Sequence, residues 1–565
     1  MSEARMLTEA YPIQGGDFGS GGMGSTRLKE RLKKIGVRPE ILRRIMIAAY
    51  EAEMNVVIHA RRGTMHTSID NGRLCIQVKD EGPGIGDTDL AMKEGYSTAS
   101  RTARRMGFGA GMGLPNIRQS ADYFALQSRP GKGTVLDIVI GLAGQGAERT
   151  GGHSVNVVAD GCTGCLKCVT ACPTQAVRVR NTEPQVLDHL CIDCFACAAA
   201  CRRGVFGVKG GPCGAPENHA PLAEDRISES RTPPESFPKA RVLVIPAALL
   251  YQFGAGFPPE TALKALGQLG FEEIRLLEGW EEALRRQVAR YAAGENRRKP
   301  VIAPLCPAVV HLVALKYPCL IAHVAPLLSP LEAACCDLRS ESTAYAISCP
   351  AQRSALLTVG GEGAAAIGVS ALCSELGARL RGDTGPTYQL VRPDARDEEP
   401  ARGAQGTVPG LQVFGIHSVE AVLEEAENGA MDDVPLLELY ACPQGCFGTP
   451  LLGENPWLVR HRWETEGQIL PRREKAVWCS QSLRPRTGMR LDDDMDRAIA
   501  RLAEIEALAA SLPGRDCAAC GSPSCLAFAE DVVLGRADRT DCSFAGSRRG
   551  GKRPIAAEAA ITEAR

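Results

Sequence analysis

The sequence predicts a multidomain chain of α/β and α+β class, and three observations carry that expectation. Its 565 residues correspond to roughly four domains at about 150 residues each. Helical and strand periodicities alternate in two separate stretches, 26–142 and 240–485, as in layered α/β units. The 23 cysteines fall mostly into short blocks divided by polar, Gly- and Pro-rich segments, which mark linkers between compact units.

Composition narrows the function classes. A formal net charge of -1 supplies no field for nucleic acid or an anionic membrane. No run of 18 apolar residues occurs, and "MSEARMLTEA" lacks a signal-peptide pattern, so the expected address is the cytoplasm, with no membrane span. Thiols stay reduced there, and regularly spaced cysteines read as metal ligands rather than disulfides. Aromatics are only 5 %, so the cores must be built from Ala, Leu, Val and Ile.

Residues 1–142 form the first expected domain. "TRLKERLKKIG" and "ILRRIMIAAYEAEMNVVIHA" carry apolar residues at helical spacing, while "RLCIQVKD" and "TVLDIVI" are strands by β-branched content. Residues 143–154 read as a linker, 155–210 as a compact cysteine unit and 211–239 as a second linker. From 240 to 485 strands such as "ARVLVIPA" and "PVIAPL" alternate with helices such as "ETALKALGQLG", and "VRPDARDEEPARGAQGTVPG" reads as a surface loop. A helix near 492–511 leads into a last cysteine cluster within 490–545. A basic, Ala-rich tail, 546–565, completes the chain.

In the first domain Glu51 and Asn55 stand four apart, on one helix face. The strand ending in Asp80 runs into Gly82, Gly84 and Ile85, a turn that lets backbone approach a ligand. "GFGAGMGLPN" then places Gly109, Gly111 and Gly113 before Leu114 and a helix start, where bare N–H groups suit a phosphate chain. Asn55 offers a hard oxygen to Mg²⁺, Asp80 can accept from a base amino group, and Glu51 can take a hydroxyl proton.

This order of motifs resembles the GHKL ATP-binding fold, and within it the small serine kinases that act as anti-sigma factors or switch kinases. "YEAEMNVVIH" is similar to their Asn box, "DEGPGI" to the adenine box, "GFGAGMGLPNI" to the lid and second Gly box, and "GKGT" to the closing Gly-Thr, over about 17–142. The resemblance implies a GHKL α/β sandwich that binds ATP and Mg²⁺. In it Glu51 is the general base, Asn55 the Mg²⁺ ligand, Asp80 the adenine reader, Thr134 a support of the adenine pocket and Arg105 a γ-phosphate contact. Sensor histidine kinases share the fold but need a preceding dimerisation helix pair, and nothing that long precedes residue 26. A Ser/Thr on an anti-anti-sigma-like partner protein is therefore the expected acceptor. Such kinases commonly pair, which makes a homodimer one expected state.

"CTGCLKCVTACP" and "CIDCFACAAAC" both read C-x₂-C-x₂-C-x₃-C, the spacing in which three thiolates clasp one [4Fe–4S] cube and the fourth reaches the other. One cube would use Cys162, Cys165, Cys168 and Cys201, the other Cys191, Cys194, Cys197 and Cys172. Zinc is the competing metal. The block resembles two-cluster bacterial ferredoxins and implies a ferredoxin-like dicluster insert, with Arg202 where proline is usual.

Four cysteines lie far apart in the central region: Cys306, Cys349, Cys442 and Cys446. By spacing alone they could be buried small hydrophobes. Their contexts, "LCPAVVHLV", "AISCPAQ" and "ELYACPQGC", resemble the catalytic domain of [FeFe]-hydrogenases, which implies a hydrogenase-like α/β domain holding one cubane through these four. Where that family has a proton-relay cysteine this chain has Leu305, and where it has a lysine it has Gln352. A ligand set without the proton path points to sensing or electron relay rather than hydrogen turnover.

The pattern C-x₂-C-x₄-C gives Cys517, Cys520 and Cys525, with Cys542 after a further helix. It resembles a small C-terminal Fe–S domain of electron-transfer and corrinoid proteins; a zinc knuckle is the alternative. Cys75, Cys213, Cys319, Cys335, Cys336, Cys373 and Cys479 are expected to be buried as small apolar side chains, and His59 and His66 to be surface or packing residues. Together these features predict a redox- or hydrogen-responsive signalling protein with a redox partner. The rival readings are an electron-transfer or hydrogenase-related oxidoreductase subunit with a regulatory ATP domain, and a non-catalytic ATP-dependent interaction module.

Overall fold

The computed structural model describes residues 7–70, 73–99, 103, 105, 109–142, 153–157, 161–209, 237–254, 256–294, 297–359, 364–380, 410–466, 474–479, 483–486, 488–492 and 494–544. The second linker, the 391–409 part of the surface loop, most of the first linker, Cys213 and the tail lie outside those residues.

The first unit opens with β1 (Leu7–Gln14), α1 (Met23–Lys34) and α2 (Pro39–His59). It continues through β2 (Arg62–Asp70), β3 (Arg73–Asp80), α3 (Gly113–Ser120), β4 (Tyr123–Ser128) and β5 (Thr134–Gly141). The strands form one antiparallel sheet in the order β1-β2-β3-β5-β4. Alternation decides which way the sheet faces: Leu74, Ile76 and Val78 are buried while their neighbours on β3 are exposed or half-buried. The apolar faces of α1 and α2 close over that side. The same alternation turns Cys75 outward, so it is exposed and not a buried small hydrophobe.

The dicluster unit has two small antiparallel ladders, β6 (Val155–Val157) with β9 (Phe206–Val208) and β7 (Val177–Arg180) with β8 (Glu183–Val186). His153 and Ser154, at the end of the expected first linker, are buried in it instead. The reason is local: the Ser154 N–H donates to Asp193 Oδ1 (2.9 Å) and His153 Nδ1 pairs with Asp188 Oδ1 (2.6 Å).

The central region carries two parallel sheets. One runs β11 (Glu273–Leu276), β10 (Val242–Ile245), β13 (Thr343–Ile347), β14 (Ala364–Gly368); the other β12 (Val301–Ala303), β16 (Leu436–Tyr440), β15 (Leu411–Phe414). "VLVI" and "TAYAI" are buried at every position, as strands covered on both faces must be. Helices α4 (Pro350–Val359) and α5 (Ile416–Glu427) belong to this region. Last come α6 (Met495–Ser511) and α7 (Cys525–Val533).

These last helices do not stand apart. Ile499, Leu502, Ile505, Phe528 and Ala529 belong to one continuous core with Leu28, Leu32, Leu42 and Ile45 of the first unit. Around it Lys34 Nζ pairs with Glu530 Oε2 (2.6 Å) and Arg31 with Glu506 (2.7 Å). On the other flank Lys29 of α1 forms an ion pair with Glu427 of α5, both almost fully buried. Among the described residues no helix is long and apolar enough to cross a membrane.

Candidate functional site

The nucleotide cradle is assembled by α2, α3 and the β3 end. Helix α2 presents Glu51 and Asn55 one turn apart, and the first residue of α3 lies directly on them. A Cβ at Gly113 would stand 3.1 Å from Glu51 Oε2 and 3.3 Å from Asn55 Oδ1. Asn55 Nδ2 is buried with no hydrogen-bond partner, an orphan donor that costs free energy unless a ligand oxygen fills it. Asn116 Nδ2, from the first turns of α3, donates to Glu51 Oε1 at 2.9 Å.

Asp80 is held by its neighbours. Its Oδ1 accepts from the N–H of Gly82 (2.7 Å) and of Thr134 (3.3 Å), which leaves Oδ2 to accept from a base amino group. Ser128 ties the pocket floor together: its hydroxyl accepts from the Ile85 N–H (2.8 Å) and donates to Gly133 O (3.0 Å), so Thr134 Oγ1 donates to it (2.9 Å). Gly84 (φ 70°) and Gly111 (φ 77°) need the left-handed region, and a Cβ on either would collide with backbone, at Arg129 O and Gly95 C respectively. Gly82 and Gly109 line the same turns, and Arg105 is exposed on the lid. His59 is half-buried and burial holds its pKa below the ordinary value; His66 is exposed. Asn116 and Ser128 were not singled out from the sequence; both lie inside or beside motifs that were.

The structure gathers the cysteines by group. Burial pushes the Cys168 thiol up to about 12, and the next contributions come from Cys201, Cys162 and Cys165. Burial, then Cys194, Cys172 and Cys191, raise Cys197. The fourth cysteine of each run thus stands by the other run's set. In the central region Cys442 is raised by burial, then by Cys349, Cys306 and Cys194, and Cys446 by burial, Glu281, Cys349, Cys306 and Cys442. Cys517, Cys520, Cys525 and Cys542 line one small cavity with Phe528 and Phe544. Thiols forced up by burial and by one another ionise together only around a cation. Yet among the described residues no three His, Cys, Asp or Glu side chains close on a point as ligands of a single ion do.

The loops share a backbone feature that spacing does not reveal. Between the cysteines a non-glycine residue takes positive φ: Leu166 (60°), Phe195 (63°), Gln444 (58°) and Ala518 (56°). Each costs of order 1–3 kcal/mol and persists only where surroundings enforce it. Main-chain N–H groups also point at cysteine sulfur, from Ala176 to Cys172 (3.2 Å), Asp193 to Cys191 (3.4 Å) and Gln352 to Cys349 (3.4 Å). Of the remaining cysteines, Cys319 and Cys335 are buried, and Cys336, Cys373 and Cys479 half-buried.

Comparison with known proteins follows the same divisions. Residues 40–143 match the family described as histidine kinase-, DNA gyrase B- and HSP90-like ATPases, 154–202 the 4Fe-4S dicluster domain and 512–544 a putative Fe-S cluster family. Serine/threonine-protein kinase RsbT of Bacillus subtilis (strain 168) is 32% identical over 111 residues, 19% of this chain and 77% of that protein. The anti-sigma F factor of Caldanaerobacter subterraneus subsp. tengcongensis is 34% identical over 97 residues, and that of Thermoanaerobacter sp. 33%. The chain spans 64% of either anti-sigma F factor, through 16% of its own length. Among solved structures, two variants of the [FeFe]-hydrogenase HydA1 of Chlamydomonas reinhardtii are similar at 14% and 15% identity with TM-scores of 0.31 and 0.30. They cover 42% and 47% of this chain and 88% and 90% of their own. The chain therefore carries a kinase-like ATPase domain together with iron–sulfur domains.

Proposed function

Because the chain belongs, through its ATP-binding domain, to the family of the serine/threonine-protein kinase RsbT, we propose that it is a redox- or hydrogen-responsive iron–sulfur signalling protein. Its ATP-binding domain phosphorylates or sequesters a partner protein at Ser/Thr according to the state of its clusters. Four cubanes fit the thiols: two across Cys162–Cys201 in the crossed sets, one on Cys306, Cys349, Cys442 and Cys446, and one on Cys517, Cys520, Cys525 and Cys542. Asn55 would hold Mg²⁺, Asp80 would read the adenine and Glu51 would take the acceptor proton.

One observation carries this proposal: the ATP-binding unit and the C-terminal cysteine lobe share a single hydrophobic core. Helix α7 begins at Cys525, and its adjacent Glu530 and Asp531 reach in two directions, to Lys34 of α1 and to Arg178 of β7. An electron added to a cluster brings one negative charge into a low-dielectric lobe, worth a few kcal/mol to a two-state packing. The test is Mg-ATP affinity and phosphotransfer of the full chain, purified anaerobically and poised oxidised or reduced. Affinity and transfer that differ between the two states are expected; identical values in both would sink the proposal.

A second reading, an electron-transferring oxidoreductase subunit, draws on a different observation. After burial, Cys306 adds to the rise of the Cys194 thiol of the dicluster unit, and Cys194 adds to that of Cys442, a nearness of the two sets that suits electron passage into the central site. Hydrogen-dependent dye reduction by the full chain separates the two, and its absence favours signalling. Leu305 is buried and carries no proton, so none is expected.

A further inference from the structure

We propose that Asn116 is a positioning residue for Glu51, tying the base of the phosphotransfer site to the helix that follows the glycine loop. This rests on the kinase-type role given to Glu51 above.

The geometry of the pair is specific. Glu51 Oε1 accepts from Asn116 Nδ2 at 2.9 Å. A carboxylate can only accept, so the amide must present its nitrogen, and the side chain has one orientation. With Oε1 anchored, Oε2 is the oxygen turned toward Gly113, 3.1 Å from where a Cβ there would stand, on the side that Asn55 Oδ1 also faces at 3.3 Å. The two oxygens are thereby made unequal, one structural and one aimed into the cradle. A free glutamate loses rotamer entropy when it is fixed, and a base must be fixed within hydrogen-bond reach of the proton it takes.

Asn116 is itself locked. Its backbone N–H donates to Met112 O at 2.9 Å, at the start of α3. That helix begins at Gly113 and its side chain Ile117 is fully buried. Packing on α3 is thus supplied by Ile117, and the half-buried Asn116 is spared for Glu51. Whatever seats α3 on α2 places the Gly113 N–H and aims the base in one event. In the step served, an acceptor hydroxyl gives its proton to Glu51 Oε2 and its oxygen bonds to the γ-phosphorus. The bond from that phosphorus to the β–γ bridging oxygen breaks, and the electron pair leaves with ADP.

The experiment uses the full chain under anaerobic conditions with Mg-ATP as the probe and water as acceptor, reading single-turnover phosphate release and nucleotide affinity separately. Asn116→Leu should lower turnover about tenfold or more while Mg-ATP affinity stays within about twofold. In a Glu51→Gln background the same change should add nothing, because Asn116 acts only through that carboxylate. Asn116→Asp, nearly isosteric, sets carboxylate against carboxylate and should lose more turnover than Asn116→Leu, which keeps the proposal testable if the leucine variant folds poorly. Losses that multiply with Glu51→Gln, or fall equally on affinity, overturn it in favour of a packing role, and unchanged turnover overturns it outright. A Glu51→Gln chain that releases phosphate like the natural one removes the kinase-type role and this proposal together.

Discussion

Arg178 of β7 and Asp531 of α7 form an ion pair that is 3% and 0% exposed and joins two cysteine lobes across 353 residues of sequence. Asp531 also accepts from Arg180 (2.9 Å) and Ser522 (2.8 Å). Burial alone would raise its carboxyl; Arg178, Ser522 and Arg536 overcome that and hold it below the usual range. Asp531→Ala leaves Arg178 buried without its partner and should cost about 3–5 kcal/mol, whereas a double change to Arg178→Met and Asp531→Leu should cost less. Urea unfolding followed by cluster absorbance checks both. The native pair's contribution is complete above the unfolded carboxylate pKa of about 4 and is lost as pH falls through the lower folded value. The gap between the natural chain and Asp531→Ala should therefore close only in that acidic window.

Gly113→Ala should separate stability from binding. Alanine at a helix position gains up to about 1 kcal/mol over glycine, and no positive φ is required there. Its Cβ, however, would fill the cradle against Glu51 and Asn55. An unfolding midpoint unchanged or raised, with Mg-ATP affinity at least tenfold lower, is the expected pair of results; calorimetry and equilibrium binding measure them. Gly111→Ala, at φ 77° against the Gly95 backbone, should instead lose about 1–3 kcal/mol of stability.

Legibility in the sequence followed the range of each interaction. Glu51 and Asn55 share one helix, and the cysteine runs carry their spacing within a dozen residues, so both could be read locally. The cover that α6 and α7 place on the ATP-binding unit could not, because pairs such as Arg31 with Glu506 are 475 residues apart and no periodicity reports them. Lys29 and Lys33 of α1 are likewise buried against Glu427, a partner nearly 400 residues on that no local pattern reports. Residue type alone misplaces Cys75, whereas the alternation of Leu74, Ile76 and Val78 points it outward. Positive φ at Leu166, Phe195, Gln444 and Ala518 had no outward sign, since none is glycine or asparagine.

Glu278 gives a prediction of opposite sign in pH. Burial, then the charge of Glu281, pushes its carboxyl up to about 8, with Oε1 accepting from the Ala247 N–H (2.9 Å) and Oε2 buried without a partner. An acid raised above its unfolded value of about 4.3 opposes folding from that pH upward, by about 1.4 kcal/mol per unit, until pH about 8. Glu278→Gln should leave stability unchanged near pH 4 and raise it on the order of 3 kcal/mol near pH 7. Chemical unfolding across that range measures the difference; one that does not vary with pH would remove Glu278 as its source.

Gln352 should set the potential of the cubane proposed for Cys306, Cys349, Cys442 and Cys446. The Ser348 N–H donates to its Oε1 (2.8 Å), which turns Nε2 toward Cys446 Sγ at 4.0 Å, while its own backbone N–H donates to Cys349 Sγ at 3.4 Å. One buried residue thus serves two thiolates. Donors to ligand sulfur favour the reduced cluster, whose extra electron resides partly on those sulfurs. Gln352→Leu removes the side-chain donor and leaves the backbone one, so the potential should move negative with iron content unchanged. Gln352→Glu replaces the donor by a negative charge and should move it further. Redox titration followed by electron paramagnetic resonance reads the order natural chain, leucine, glutamate. A leucine variant that titrates with the natural chain would mean that the carboxamide does not reach the cluster and that the backbone donor alone tunes it.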